Sequence, residues 1–349
     1  MNQLTSRLNW LEGSGPESEI VLSCRMRLAR NLNAFPFEIK LNEEKDRQLL
    51  DLLKAVLAKV ARGEYVEMSK LSPIEVQALL ESHLISPAFV QSERKKALYI
   101  LNDGSTSAMV NEEDHLRIQA VTSGLSLRQA YALVDALEQN IDDEVEFAFD
   151  EEFGYLASCP TNMGNGLRAV IFFHLPALVL TKEVEKILRG VMQIGLAVRG
   201  IYGEGTEIKG NLFQISNQIT LGQKEEEVLD IMEKIAHQLI DFEKKARTTL
   251  LDSAGVEIED KIFRAEAILK SARTISTDEV INLTSALRLG VGLGLTKSVT
   301  IKTLNEILVF TRPANLQLFF DRNMEAAERD QMRAEYIRGR LAHNQTGNQ

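Results

Sequence analysis

The chain has 349 residues, 44% hydrophobic and 26% charged, and its 40 Lys+Arg against 50 Asp+Glu give a net charge of −10. At roughly 100–200 residues per domain that length favours two domains with sizeable cores, and the acidic balance sets long-range fields against nucleic acid and anionic membranes, so neither is expected as a direct partner. The 2 Cys lack C-x-x-C spacing and the 5 His form no zinc-spaced group, which excludes a disulfide framework and leaves no protein-bound metal to expect.

Met1 to Trp10 is polar, without the apolar stretch of a signal peptide. The longest apolar run, Val170 to Leu180, is broken by His174 and Pro176 and falls short of the ~20 residues of a membrane span, so a cytoplasmic location is expected. Residues 43–62 read as an amphipathic helix capped by Asn42, with Leu49, Leu53, Val56, Leu57 and Val60 on one face. Short β-prone runs follow at Ala97–Leu101, Thr106–Val110 and His115–Val121. Ser126 and Gln129 resemble a capping box that opens a helix to about Asn140. Strands are expected at Val145–Phe149, Tyr155–Ser158, Leu167–Leu175 and 211–219, and helices at 182–198 and 224–248. Parallel βαβ alternation is missing, so the fold class is α+β, with a largely antiparallel sheet flanked by helices.

Beyond about residue 255 the chain reads as helix at 257–273, 277–289, 300–311 and 314–341, with a capping box at Ser276 and Glu279 and Pro313 between the last two. The expected division is a catalytic domain over 1–252 and an all-helical domain over 253–349. Gly290 to Ser298 (GVGLGLTKS) superficially resembles a phosphate loop, but Leu295-Thr296 breaks the Gly-Lys-Ser/Thr junction and the run follows a helix rather than a strand.

Arginines offer another way to hold phosphate. Arg25 and Arg27, two apart in Ser23-Cys24-Arg25-Met26-Arg27, share a face if extended, and Arg117, Arg168 and Arg199 each adjoin apolar or glycine-rich runs. A guanidinium there is costly to bury without an anion, and several could grip a triphosphate through charge-assisted bonds; scattered salt-bridging arginines are the plainer alternative. Asn111-Glu112-Glu113-Asp114-His115 packs three acids together, a costly arrangement unless it is a solvated turn. Glu204 lies between glycines, where backbone can approach a ligand. Cys159, in Ser158-Cys-Pro-Thr-Asn-Met-Gly-Asn-Gly166, is either a thiolate near arginines or a small buried hydrophobe.

Together, Val21-Leu-Ser-Cys-Arg-Met-Arg27, Asn111-Glu-Glu-Asp-His-Leu-Arg117, Cys159-Pro-Thr-Asn-Met-Gly-Asn-Gly-Leu-Arg168 and Arg199-Gly-Ile-Tyr-Gly-Glu204 resemble the ATP:guanido phosphotransferases, or phosphagen kinases, in consistent order over residues 20–220. Cys24, in place of a serine, and Asn165, in place of a threonine, depart from the family pattern and put nucleotide contacts in question. The closer resemblance is to the bacterial protein-arginine kinases. Only about 20 residues precede Ser23, too few for the substrate-closing helical domain of the small-guanidine kinases, whereas a helical segment of about 95 residues follows the catalytic part. Within it, Arg329-Asp330-Gln331-Met332-Arg333-Ala334 matches that branch's allosteric phosphoarginine motif; Arg329 and Arg333, i and i+4, would grip the phosphate and Asp330 a guanidinium, and a solvated ion-paired helix is the alternative.

The resemblance implies in-line transfer of the ATP γ-phosphoryl to arginine side chains of proteins, with Mg²⁺ carried in on the nucleotide. Glu113 and Glu204 would clamp the guanidinium and accept its proton, Glu112 would support them, and Cys159 would add negative charge as a thiolate. The nucleotide would be held by Ser23, Cys24, Arg25, Met26 and Arg27, by His83 and Arg117, by Arg168 with Ala169, Val170, Ile171 and Phe172, and by Arg199 with Gly200, Ile201, Tyr202, Gly203 and Glu204. Its further implications are protein substrates with exposed arginines, either stress-damaged proteins or a repressor marked for a Clp-type ATPase and protease, a zinc-binding activator protein, and a homodimer. A kinase of free arginine and a non-catalytic protein-binding adaptor remain the competing readings.

Overall fold

The computed structural model describes residues 8–37, 40, 42–200 and 209–346, with side chains to residue 342. Its centre is an eight-stranded, wholly antiparallel sheet in the order β2-β3-β4-β5-β1-β8-β10-β9. The strands are β1 (Val21–Arg30), β2 (Gly63–Glu67), β3 (Ala97–Leu101), β4 (Thr106–Val110), β5 (Leu116–Ser123), β8 (Leu167–His174), β9 (Leu196–Arg199) and β10 (Leu212–Asn217), and a separate hairpin pairs β6 (Phe149–Asp150) with β7 (Gly154–Tyr155). Helices α1 (Glu43–Val60), α2 (Pro73–Glu81), α3 (Pro87–Gln91), α4 (Leu127–Asp142), α5 (Pro176–Leu180) and α6 (Val184–Gln193) are interleaved with them. No helix among the described residues is long and apolar enough to cross a membrane.

Strand alternation splits the sheet into two chemically opposite faces. Cys24, Met26 and Leu28 of β1, Ile118 and Ala120 of β5, and Ala169 and Ile171 of β8 are buried with Val134 and Leu137 of α4 in one core. The other face carries Arg25 and Arg27, with Arg27 opposite Gln119 on β5 and Arg168 on β8, and Arg25 opposite Val121 and Val170. Gln214 of β10 extends that face to Arg199 of β9.

Helix α7 (Glu225–Ser271) runs through the expected domain boundary and kinks at Ala254, where φ −149° and ψ 36° leave the helical region. The remainder is helical: α8 (Thr277–Gly292), α9 (Ile301–Phe310), α10 (Pro313–Phe319) and α11 (Ala326–Thr346). These helices are sewn to the sheet half by long-range bonds. Arg288 donates to the Ser18 carbonyl at 2.9 Å, Asn305 to that of Leu11 at 3.1 Å, and His174 meets the Ser285 hydroxyl at 2.8 Å.

Several expectations shift. The run at 314–341 is two helices, broken near Asp321, whose φ is 52°. Residues 182–198 divide into α6 and β9, because Gly195 (φ 86°) turns the chain back along the sheet. Val145–Phe149 contributes only Phe149 to a strand. Ser126 does not cap α4; its hydroxyl donates to the Ser123 carbonyl at 2.9 Å, while Asn42 and Ser276 accept from the third helical amide of their helices as expected.

Candidate active site

The polar face of the sheet forms the floor of a cleft of about 860 Å³. Of the residues expected to hold nucleotide, Arg25, Arg27, Arg168, Arg199, Val170 and His83 line it, together with Gln119, Gln214 and Ser216 from neighbouring strands. The guanidiniums of Arg25 and Arg27 feel one another's charge and that of Arg117 and Arg168. Burial, then Arg117 and Arg168, lower the Arg25 pKa to about 10, and burial, then Arg117, Arg25 and Arg168, lower that of Arg27 well below its ordinary value. The buried Nε of each has no hydrogen-bond partner. Two guanidiniums crowded by like charge, each with a buried Nε donor unspent, suit a polyanion.

Period two corrects part of the expected nucleotide set. Cys24 and Met26 on β1, and Ala169 and Ile171 on β8, point into the core on the reverse face and cannot touch a ligand in the cleft. Burial pushes the Cys24 thiol up to about 12, and its sulfur accepts from the Ser126 amide at 3.4 Å. Ser23 and Phe172 line a smaller hollow beside His83 and Trp10. Asn165 likewise does not line the cleft and is bonded within the protein. Its side chain accepts from the Leu167 amide at 2.8 Å and donates to the Gln223 carbonyl at 3.1 Å. Both departures from the family pattern therefore lie outside the cleft. Gly200 is buried at the end of β9, whereas Ile201, Tyr202, Gly203 and Glu204 lie outside the described residues.

The acidic run is no solvated turn. Asn111, in a left-handed conformation (φ 69°), starts a tight reversal held by Arg94, which bonds its side chain and reaches Asp46 at 2.7 Å. Glu112 is 1% exposed and accepts from the Arg117 guanidinium and the Ser86 hydroxyl. Asp114 accepts from Asn31 at 2.7 Å, the Ser158 amide at 2.7 Å and Asn162 at 3.1 Å. Burial holds His115 neutral; its Nδ1 accepts from the Leu32 amide at 3.0 Å, so Nε2 donates to the Pro36 carbonyl at 3.0 Å. Glu113 alone of the three acids keeps a partly open carboxylate.

Glu113 and Cys159 are brought together by Asn162. The Asn162 amide donates to Glu113 at 2.7 Å, and the residue ends the short 3-10 turn Pro160–Asn162 that follows Cys159. Cys159 is partly exposed, its sulfur 3.1 Å from the Thr161 hydroxyl. This turn is locked against the loop after β10: Gly164 has φ +103°, and a Cβ there would lie 2.4 Å from the Thr220 carbonyl oxygen. Arg117 joins the two halves of the site. Burial alone would lower its pKa, but Glu112, then Glu113 and Asp114, more than offset that and raise it; its Nη1 stands 3.6 Å from Glu113.

His83 sits where the cleft meets Trp10, with φ 60°. Burial, then Arg25 and Arg312, lower its pKa to about 3. Unfolded imidazole titrates near 6.5, so below that pH the unfolded chain binds a proton the folded chain refuses; stability is full above pH 6.5 and falls as pH drops toward 3. At pH 5 the loss from His83 is about 2 kcal/mol. His83→Asn, which tolerates left-handed backbone, should flatten the drop in urea midpoint between pH 7 and 5; an unchanged slope would mean the folded ring is already charged.

In the motif Arg329–Ala334 both arginines make contacts within the protein. The Arg333 guanidinium is 1% exposed and donates to the carbonyls of Thr311 and Ile275, each at 2.8 Å, while Asp330 bonds Arg333 itself. Arg329 donates to the Met324 carbonyl at 2.8 Å, Ala334 is buried, and Gln331 is exposed. Helical spacing put the two arginines on one face correctly, but that face packs against α9 and the loop before α8, which take up Arg333. Arg312, Pro313, Thr277 and Glu81, which the motifs did not flag, line the cleft from the C-terminal helices and α2. Their only sequence signal was the helix start at Pro313 and the cap at Ser276.

Residues 46–246 match the ATP:guanido phosphotransferase C-terminal catalytic domain, and residues 255–349 match the Protein-arginine kinase McsB C-terminal domain. The protein-arginine kinase of Symbiobacterium thermophilum is 44% identical over 98% of this chain and 99% of its own length, and that of Halalkalibacterium halodurans is 44% identical over 95% and 94%. A crystal structure of lombricine kinase superposes with TM-score 0.57 at 25% identity, covering 66% of this chain and 68% of that one. The duplicated taurocyamine kinase of Schistosoma mansoni shares the fold, with TM-score 0.60 at 24% identity over 66% of this chain and 34% of that one. An arginine-floored cleft, a locked acidic turn and full-length similarity at this level agree: the chain belongs to the ATP:guanido phosphotransferase family, in the branch of the protein-arginine kinases.

Proposed function

We propose that this enzyme transfers the γ-phosphoryl of ATP to arginine side chains of proteins, with Arg25, Arg27, Arg168 and Arg199 holding the polyphosphate and Glu113 receiving the guanidinium. The observation that carries the reading is Arg117, whose guanidinium is bonded to the Glu112–Glu113 turn on one side and repels Arg25 and Arg27 on the other. Cationic and anionic halves therefore meet at one point, where a bound anion and a bound cation would lie next to each other. The chemical obstacle is that an arginine, with pKa above about 12, is protonated and a poor nucleophile. A carboxylate at the guanidinium aligns one nitrogen and takes its proton as that nitrogen bonds to phosphorus and the bond from phosphorus to the ADP oxygen breaks. The arginines stabilise the charge on the migrating group, and Mg²⁺ carried by the nucleotide supplies further charge neutralisation at the phosphates. Glu204 completes the clamp by motif, Glu112 fixes Arg117, and Cys159 adds a polar group beside Glu113.

The protein-level target is supported by the names of the full-length relatives and the matching C-terminal domain. On the same family reading the products are damaged proteins or a repressor destined for a Clp-type protease, with a zinc-binding activator and a homodimeric enzyme. Incubation with Mg-ATP and either unfolded casein or free arginine tests the reading. Acid-labile phosphate on casein arginines is the expected result. Label on free arginine alone would make the enzyme a small-guanidine kinase, and nucleotide binding without label on either would make it an adaptor.

A further inference from the structure

The wall of the cleft is shared between α2 with the segment that follows it and the C-terminal helices. Arg312 and Pro313, at the start of α10, and Thr277, at the start of α8, line the same cavity as Arg25, Arg27 and His83. The charge of Arg312 is felt by His83 on one side and by Glu81 on the other. Its backbone is pinned from both directions. Just after it, the amides of Ala314 and Asn315 donate to the buried Glu81 carboxylate at 3.1 and 3.0 Å, and the Asn315 side chain adds a third bond at 3.3 Å. Just before it, the Thr311 carbonyl accepts from Arg333 Nε at 2.8 Å. The same guanidinium holds the Ile275 carbonyl, two residues before Thr277, and the Ile275 amide returns a bond to the Asp330 carbonyl at 3.1 Å. Both segments that reach the cleft from the C-terminal half are thus tied to one buried arginine.

We infer that Arg312 is a further guanidinium of the nucleotide site, supplied by the C-terminal helices, and that Glu81 and Arg333 are positioning residues that hold it against the polyphosphate. The inference rests on the proposed reading of the cleft as the ATP site. It makes nucleotide affinity depend on how α10 and α11 are packed, a dependence that a catalytic half alone would not have. The plainer role for Arg312 would be to neutralise Glu81, and the two roles differ in what they do to ligand binding.

The test uses the full chain, with Mg-ADP titrated by calorimetry and KM for Mg-ATP measured on a protein substrate. Arg312→Gln should weaken Mg-ADP binding and raise KM on the order of tenfold, with a smaller change in kcat and a shallower dependence of affinity on salt. Arg312→Lys should recover part of the loss. Arg333→Met should move KM in the same direction, with partial rescue by Arg333→Lys. Wild-type affinity and salt dependence in Arg312→Gln would overturn the inference and leave Arg312 as the counter-charge of Glu81, whatever the Arg333 variants do. Failure of the wild-type chain to bind Mg-ADP would instead overturn the reading of the cleft on which it rests.

Discussion

Glu113→Gln is expected to lower phosphoryl transfer to arginine by about two to four orders of magnitude, with the melting temperature close to wild type. The carboxylate is partly open and takes one bond, at 2.7 Å, from the Asn162 amide; its contact with Arg117 is a longer 3.6 Å. A glutamine keeps a carbonyl for the Asn162 bond but has neither the charge to hold a guanidinium nor the basicity to take its proton. Glu112→Gln separates position from chemistry. Glu112 is buried against Arg117, so its loss leaves a buried guanidinium short of its partner and should cost about 1.5–3 kcal/mol of stability as well as activity. Phosphoarginine formation and thermal melts on both variants read the two effects apart. Near-normal turnover in Glu113→Gln would remove the carboxylate from the reaction.

Arg27→Met is expected to do two opposite things. Transfer should fall on the order of a hundredfold or more, because a preorganised cation at the migrating phosphoryl is lost. The unliganded protein should become more stable by about 1 kcal/mol, since a half-buried guanidinium facing like charges is replaced by an apolar chain of similar reach. The basis is the lowered Arg27 pKa, whose causes are burial and then repulsion by Arg117, Arg25 and Arg168, and the unpartnered Nε. Urea unfolding with and without Mg-ADP should then show wild type gaining more from nucleotide than the variant does. A variant less stable than wild type in the absence of nucleotide would mean that Arg27 is satisfied within the protein and is not strained toward a ligand.

Both predictions depend on a division of labour that the sequence shows only in part. Arg25 and Arg27, two residues apart, had to share a face once the segment was extended, and the same alternation condemned Cys24 and Met26 to the core. The acidic run was recognisable as a motif, but not its internal roles. Glu112, Glu113 and Asp114 are adjacent and chemically alike, and what separates them is contact with Ser86, Arg117, Asn31, Ser158 and Asn162, some of them more than 40 positions away. The Arg329–Arg333 pair shows the converse. Spacing placed both on one helical face, yet the buried carbonyls of Thr311 and Ile275 decide what Arg333 does.

By itself the chain marked β3, β4, β5, β8 and β10 and the helices α1, α4, α8 and α9, through local periodicity and caps, but not β2, β9 or the short helices α2, α3 and α5. It also determined the kinds of group available, arginines for an anion and carboxylates for a cation. Tertiary structure alone decided which of them meet. Register across β5, β1 and β8 sets Arg27 against Arg168, 141 positions away, and the return of the C-terminal helices brings Arg312 to the same cavity. Local sequence encodes conformations of a few residues, whereas charge repulsion and burial act between groups that only the closed sheet and its helical wall bring within a few ångströms.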